Sequence, residues 1–386
     1  ENHPAFAVGV YAHPDEILEV IETEQPYAFH MAYFYASNPI APCMGAEPER
    51  WYNAFMKMDF NAAQDCFMTP TIMGLCDLVL PVSFFPEHDG FVLPHFGRNT
   101  HFLGAMNAAI DPGEAKSDIE IDMIVGKRLN PEAWPWETAE EFFNAQIRTQ
   151  YDWDFNDLRD MGVFQQNFEY RKYEKGLLRP DGTPGFATPS GRIELVPFAT
   201  FGAWGIDPWP KHHESIHSVK WLEDPEFRAE YPFICVNGSR SYEYFHSENR
   251  QQATMREFHP MPLVKVSAQT AEEYDLHEGD WIWIENTEGR CRQKVHIDPT
   301  LNPSYVYAEH GWWYPEQEAS EPSLFGTFDS NPNNCTRAFE TGEGGIGSAI
   351  KSMICKVYPV REGDKMPYEA IAENGNFSWY EKVESP

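Results

Sequence analysis

Two short stretches carry residue types suited to gripping a polar or negatively charged ligand. Gly238-Ser239-Arg240 follows an apolar run, where small residues let backbone amides approach a phosphate and a guanidinium can bond it in bidentate fashion. The plain alternative is an Asn237-Gly238 turn with a solvated Arg240. His246 and Ser247 come next. A neutral imidazole can donate to a ligand, but a lone histidine is more often a satisfied structural side chain. Other patterns exclude chemistry. The seven cysteines, at 43, 66, 76, 235, 291, 335 and 355, include no CxxC pair, so neither a zinc ribbon nor an iron–sulfur cluster can be built locally. An odd count in a long chain also argues against a disulfide framework, leaving most of them as small buried apolar residues. His212, His213 and His217 lack the further ligands a metal needs and read as a surface loop. No GxGxxG occurs, so no ordinary nicotinamide or flavin site is signalled.

The elements that must position these residues fall into three regions. Tyr27–Ala36 is aromatic and apolar and reads as a buried strand, ended by Ser37-Asn38-Pro39. A helical pattern spans Glu47 to Met58, a short segment runs from Asp59 to Cys66, and Thr69-Pro70-Thr71 reads as a turn. A second apolar run, Leu75–Leu80, closes at Pro81. Strand, helix, strand at this spacing predicts α/β construction with a parallel sheet, whose ligands bind at the carboxyl ends of strands. Asn38, Asp65, Thr69 and Pro81 would lie there. From about 105 to 225 the pattern is helical and irregular, with Thr188–Leu195 read as a turn entering a strand, and 202–225 as a long connection between domains. From Tyr231 short strands follow: Phe233–Val236, Val264–Val266, Asp280–Asn286, Gln293–Ile297 and Ser304–Ala308, which predict a barrel. The Gly279-Asp280 turn and the Asn286–Gly289 hairpin, whose glycine can supply positive φ, are markers of fold rather than chemistry. Trp312 and Trp313 read as core, or as a wall of a substrate funnel.

The net charge of −31, from 60 acidic and 29 basic residues, argues against nucleic acid or anionic lipid as partner. No stretch approaches the roughly 20 apolar residues of a membrane helix. A soluble protein is expected, cytoplasmic or exported. Residues Glu1 to Val8 show no leader pattern, and one short helix-like stretch, Asp15 to Glu22, precedes the first strand, as though a domain were entered part-way.

The ordered set of motifs resembles the molybdopterin oxidoreductases of the dimethyl sulfoxide reductase family over nearly the whole chain. Val264–Val306 with Gly311-Trp312-Trp313 is similar to that family's C-terminal domain, and Asn237–Arg240 with Phe245-His246-Ser247 to the stretch entering it. Asn333–Thr336 is similar to an Asn-x-(Leu/Thr) stretch, with Cys335 in place of the usual apolar residue. Upstream, Ser37-Asn38-Pro39, Asp65–Thr71, Cys76–Pro81 with Glu87 and Gly90, Gly97-Arg98 and Thr188–Leu195 match in order.

The resemblance implies residues 1–105 as the end of an α/β molybdopterin-guanine-dinucleotide-binding domain and 106–225 as the return of a mixed α/β domain with a linker. Residues 226–386 would form a six-stranded double-psi-type barrel that binds the dinucleotide. It implies a bis(molybdopterin guanine dinucleotide) cofactor with molybdenum or tungsten. The metal ligand and a [4Fe-4S] motif would lie in an N-terminal half that these 386 residues do not contain, so no residue here is assigned to catalysis or to metal. Asp65 is the guanine candidate, since a carboxylate accepts the paired N1 and N2 hydrogens of that base; a helix or turn cap is its alternative. Asn38 and Thr69, then Gly238, Ser239, Arg240, His246, Ser247 and Asn334, complete the binding set, with Lys351 a weaker phosphate candidate. Asn334 is explained almost equally well as a loop-stabilising side chain. The implied activity is oxygen-atom or electron-pair transfer on a small substrate, of the kind used in anaerobic respiration, although a non-redox hydration is also known in the family. The implied partners are the remaining half of the subunit and an iron–sulfur electron-transfer subunit. The alternative is a non-catalytic scaffold in an electron-transfer complex that binds no pterin.

Overall fold

The computed structural model describes residues 12–43, 46–92, 102–167, 169–196, 198–209, 211–212, 214–239, 241–321, 323–339 and 351–364. The chain divides into two compact units, one of Glu1–Ala63, Phe67–Val79 and Lys211–Pro386, the other of Gln64–Cys66 and Leu80–Pro210.

The first unit opens with helix α1 (Pro14–Thr23), capped by His13, whose Nδ1 accepts from the Asp15 amide. Leu18 and Ile21, three apart, give it an apolar stripe. Strand β1 (Met31–Tyr35) leads through a tight turn at Pro39–Cys43 into α2 (Pro48–Phe55), then β2 (Phe60–Asp65), α3 (Pro70–Leu75) and β3 (Leu78–Pro81). The strands form one sheet in the order β1-β2-β3, the α/β arrangement expected. Three local readings change. Thr69 and Pro70 begin a helix rather than a turn: the Thr69 Oγ1 accepts from the Ile72 amide and Pro70 supplies the first helical φ. Leu75 therefore ends α3, and β3 starts only at Leu78. β1 is also not buried on both faces. Phe34 packs inward, while Tyr33 and Tyr35 are 40% and 46% exposed. Tyr27, Phe29 and Met31 continue the exposed row.

The later part of this unit contains a closed six-stranded barrel, in the order β10-β8-β11-β7-β12-β9, with short helices between its strands. Its strands are β7 (Phe233–Ser239), β8 (Leu263–Val266), β9 (Trp281–Glu285), β10 (Arg290–Ile297), β11 (Tyr305–Glu309) and β12 (Ser352–Pro359). β8 with β10 and β7 with β11 pair parallel; the other four pairs are antiparallel. Alternate residues of β10, Cys291, Gln293 and Val295, point inward, as a strand's two-residue period requires. With Val264, Ile282, Ile284, Val306 and Val357 they fill the barrel, and Cys235, Cys335 and Cys355 join them as the small apolar residues expected. Gln293, fully buried, is satisfied by the Glu309 carbonyl and amide and the Ser330 carbonyl. Gly279 has φ +84, so its turn needs the left-handed freedom of glycine. Gly289 does not: it is a glycine because a Cβ there would meet the Asn334 carbonyl at 2.5 Å.

A second core, around Leu18, Phe34, Ile40, Trp51, Phe55 and Ile72, takes in Leu324 and Phe328 from the segment between β11 and β12. Within that segment the buried Asp329 carboxylate is held by the Arg292 guanidinium at 2.9–3.2 Å.

The second unit carries the helices Asp118–Leu129, Ala139–Ile147, Phe155–Met161 and Phe198–Ala203, and a small sheet of β4 (Gly90–Val92), β5 (Phe102–Met106) and β6 (Val163–Gln165). Phe143, Ile147, Phe155 and Leu158 form its core. Thr188–Leu195 is a run of turns and does not lead into a strand: the Phe186 amide closes on the Gly191 carbonyl and the Gly191 amide on Thr188. Among the described residues no helix is long and apolar enough to cross a membrane.

Candidate functional site

Asn237, Gly238 and Ser239 are the last residues of β7, not a turn. Opposite them the parallel strand β11 pairs Ala308 with Asn237 and Glu309 with Ser239, so Gly238 is an extra residue, a bulge. Bulges bend a strand and re-aim its side chains, and glycine tolerates the geometry. Arg240 and the side chain of Ser239 lie outside the described residues, as do Gly97-Arg98 and His213. Lys351 is brought to this same rim: its carbonyl accepts from the Asn237 amide at 2.9 Å, while its side chain is exposed.

From the rim the chain folds through Tyr244 and His246 into a short helical turn. His246 adopts φ +52, and its Nδ1 lies 2.8 Å from Nε2 of His310, the residue after β11. Ser247 is buried; its carbonyl accepts from the Trp313 indole at 3.2 Å and its hydroxyl from the Asn38 amide at 3.2 Å. The Asn38 carbonyl in turn accepts from the Thr71 hydroxyl at 2.7 Å and amide at 3.4 Å. Both ends of the Asn38 side chain are thus bonded within the protein, and Asn38 braces the start of α3 and the 246–250 turn together. Trp312 and Trp313 are fully buried beneath this turn and read as core.

Asn333 and Asn334 approach the rim from the other side. The Asn237 amide donates to the Asn333 side-chain carbonyl at 3.0 Å. Asn334 donates to the carbonyls of Arg290 at 3.2 Å and Phe328 at 2.5 Å. It also lines a cavity of about 610 Å³ with Arg50, Lys57, Glu288, Gly289 and Arg290. The Glu22 carboxylate on its wall is held below the usual range by its bond to Arg50. Sequence reading missed this cavity, because its cations Arg50 and Lys57 lie in and just after α2 while Arg290 opens β10, far along the chain.

Asp65 belongs to the other unit, half-buried at the end of β2. Thr69, not Asp65, caps α3. The Asp65 charge and burial raise the neighbouring Cys66 thiol to about 11, burial being the larger cause. His212 pairs with Glu214 and His217 with Glu288, and no metal-ligating group of three occurs among the described residues.

The model of the molydopterin dinucleotide binding domain matches residues 233–352, which hold five of the six barrel strands, β7 to β11, and end where β12 begins. Acetylene hydratase of Syntrophotalea acetylenica is 30% identical over 318 residues, 81% of this chain and 41% of that protein. The chain carries a molydopterin dinucleotide binding domain, and its relatives are molybdopterin enzymes of the dimethyl sulfoxide reductase family. A second relative, dopamine dehydroxylase of Eggerthella lenta, is 27% identical over 341 residues, 69% of this chain and 32% of that protein. The solved structure of acetylene hydratase from Pelobacter acetylenicus superimposes with a TM-score of 0.78 at 26% identity, covering 91% of this chain and 47% of that one. The chain thus spans less than half the length of the relatives it matches.

The rim fits a member of this family by its own chemistry. The Asn237 side-chain oxygen is buried beside the bulge and has no hydrogen-bond partner among the described residues. An unmet buried acceptor is costly, and a ligand N–H, such as the pterin ring carries, would satisfy it.

Proposed function

We propose that this chain holds the pterin dinucleotide of a molybdenum or tungsten enzyme acting by oxygen-atom or electron-pair transfer on a small substrate. The observation that carries the reading is the unmet Asn237 oxygen beside the Gly238 bulge, within the matched domain. Asn237 would accept from the pterin, the Gly238 and Ser239 amides with Arg240 and Lys351 would hold phosphate oxygens, and His246 would donate to either. Asn334 would order the loop beside Gly289. Asp65 would accept the paired N–H groups of a guanine, Thr69 would set the start of α3 beside it, and Asn38 would keep Ser247 in position. When bound, such a cofactor supplies the metal centre for two-electron chemistry, while the protein binds and orients.

The domain reading stays 1–105, 106–225 and 226–386, with the barrel of double-psi type; its two parallel strand pairs joined by antiparallel ones support that type. The exposed row Tyr27, Phe29, Met31, Tyr33 and Tyr35 supports a further part of the subunit as partner, since parallel sheets are covered on both faces. That part would carry the metal ligand and a [4Fe-4S] cluster, passing electrons to an iron–sulfur subunit.

The test is metal and pterin analysis of the full-length protein, in wild type and with Asn237→Ala, Asp65→Ala and Arg240→Ala. Occupancy should fall in each variant. Absence of molybdenum, tungsten and pterin from the wild type would leave the scaffold reading; full occupancy in all three variants would overturn the assignment of these residues.

A further inference from the structure

Arg250 is 2% exposed, which makes it a cation inside the protein. Its guanidinium lies between two rings, 4.0 Å from the Trp312 centroid and 4.4 Å from that of Tyr244. Its hydrogen bonds go to neutral carbonyls: Nε to Gly311 at 3.2 Å and Nη2 to His246 at 3.1 Å. Nη1 is buried and has no hydrogen-bond partner among the described residues, and the same is true of the indole Nε1 of Trp312. The nearby acids are engaged elsewhere. Glu309 accepts from His259 at 2.9 Å and from the Leu263 amide at 3.1 Å, and Glu316 is paired with Arg256 at 2.6 Å. Burial without a bonded carboxylate pushes the Arg250 guanidinium down to about 9. Arg250 and Trp312 line one small cavity with Ser241, Tyr244, His246, Glu309 and His310, and its volume of about 10 Å³ leaves room for a single atom of about water's size.

We infer that this cavity is a site for one halide-sized anion, held by Arg250 Nη1 and Trp312 Nε1. A water could meet the geometry of the two donors. An anion also gives Arg250 a directly bonded counter-charge, which Glu309, bonded to His259 and the Leu263 amide, does not supply. The tyrosine and tryptophan rings wall the cation from solvent, so a counter-ion there is only weakly screened. The site ties the 241–250 segment to the end of β11, and so bears on the rim without depending on what the rim binds.

The test uses the whole chain. Thermal midpoints are measured in sodium chloride and bromide against sodium gluconate at equal ionic strength, because gluconate is too large for the cavity. The expected result is a halide-specific rise of roughly 3 °C at about ten times the dissociation constant. Trp312→Phe keeps a ring and removes one donor, and should need roughly tenfold more halide for the same rise. Arg250→Met should abolish the halide-specific part. Crystals grown in bromide should show an anomalous peak within hydrogen-bonding distance of Nη1, which keeps the proposal testable if the Arg250 variant does not fold. Equal midpoints in halide and gluconate, or an ordered water only beside Nη1, would overturn it.

Discussion

The Asn38 side-chain amide donates to the Ser247 hydroxyl at 3.2 Å across 209 residues of chain, while its carbonyl takes two bonds from Thr71. One side chain therefore fixes the strand end of the α/β region against the turn that follows the barrel rim. Asn38→Ala should destabilise the protein by about 2–4 kcal/mol, since it strands the buried donors of Thr71 and removes the amide that the buried Ser247 hydroxyl accepts from. Ser247→Ala should cost about 1 kcal/mol, and the double variant less than the sum. A double-mutant cycle by chemical denaturation checks this; strict additivity would mean the bond is not a brace.

The two marker glycines of the barrel should fail for different reasons. Gly279→Ala forces a side chain into φ +84 with open space around it, a loss of about 1 kcal/mol. Gly289→Ala has ordinary φ but drives a Cβ to 2.5 Å from the Asn334 carbonyl, so backbone must move and the loss should reach about 2–3 kcal/mol. Denaturation midpoints of the two variants, compared directly, decide the order.

Arg292 and Asp329 form a pair in which the acid is fully buried. Burial raises the Asp329 carboxyl even against the lowering by Arg292, so desolvation is the larger effect. Arg292→Met should cost about 3–5 kcal/mol by leaving that carboxylate alone. Adding Asp329→Asn should recover part of the loss, which calorimetry of both variants would show.

The Glu22–Arg50 pair should give a pH signature. The Arg50 bond holds Glu22 below its ordinary value of 4.5, so its contribution is complete above that pH and is lost as pH falls through the lowered value. Glu22→Gln should therefore lower the thermal midpoint at pH 7, with the gap to wild type closing in more acidic solution. A gap that stays constant down to pH 3 would show that the charge is not what stabilises.

Much of the barrel is legible in the chain because its signals are local. β9 and β10 flank an Asn-Thr-Glu-Gly turn closed by the Asn286 amide and the Gly289 carbonyl. β8 runs straight into a helix capped by Ser267. β12 has no such signal: three consecutive residues, Met353, Ile354 and Cys355, are buried, so the two-residue period that marks a strand is broken. The aromatic run at 27–36 shows the opposite failure. Its composition promises burial on both faces, but only what packs on a strand decides burial, and one face of β1 is exposed.

The candidate site divides in the same way. Residue types and order alone determined the family, the barrel, the need for glycine at 279 and a set of polar residues at strand ends, because each depends on a few neighbouring residues. Only the tertiary structure decided which of those residues meet. It turned the Asn237-Gly238 pair from a turn into a strand bulge with an unmet buried oxygen, bound Asn38 to Ser247, and explained Gly289 by a carbonyl 45 residues further along the chain. Contacts between distant segments depend on how the strands close into a barrel, and no local propensity encodes that closure.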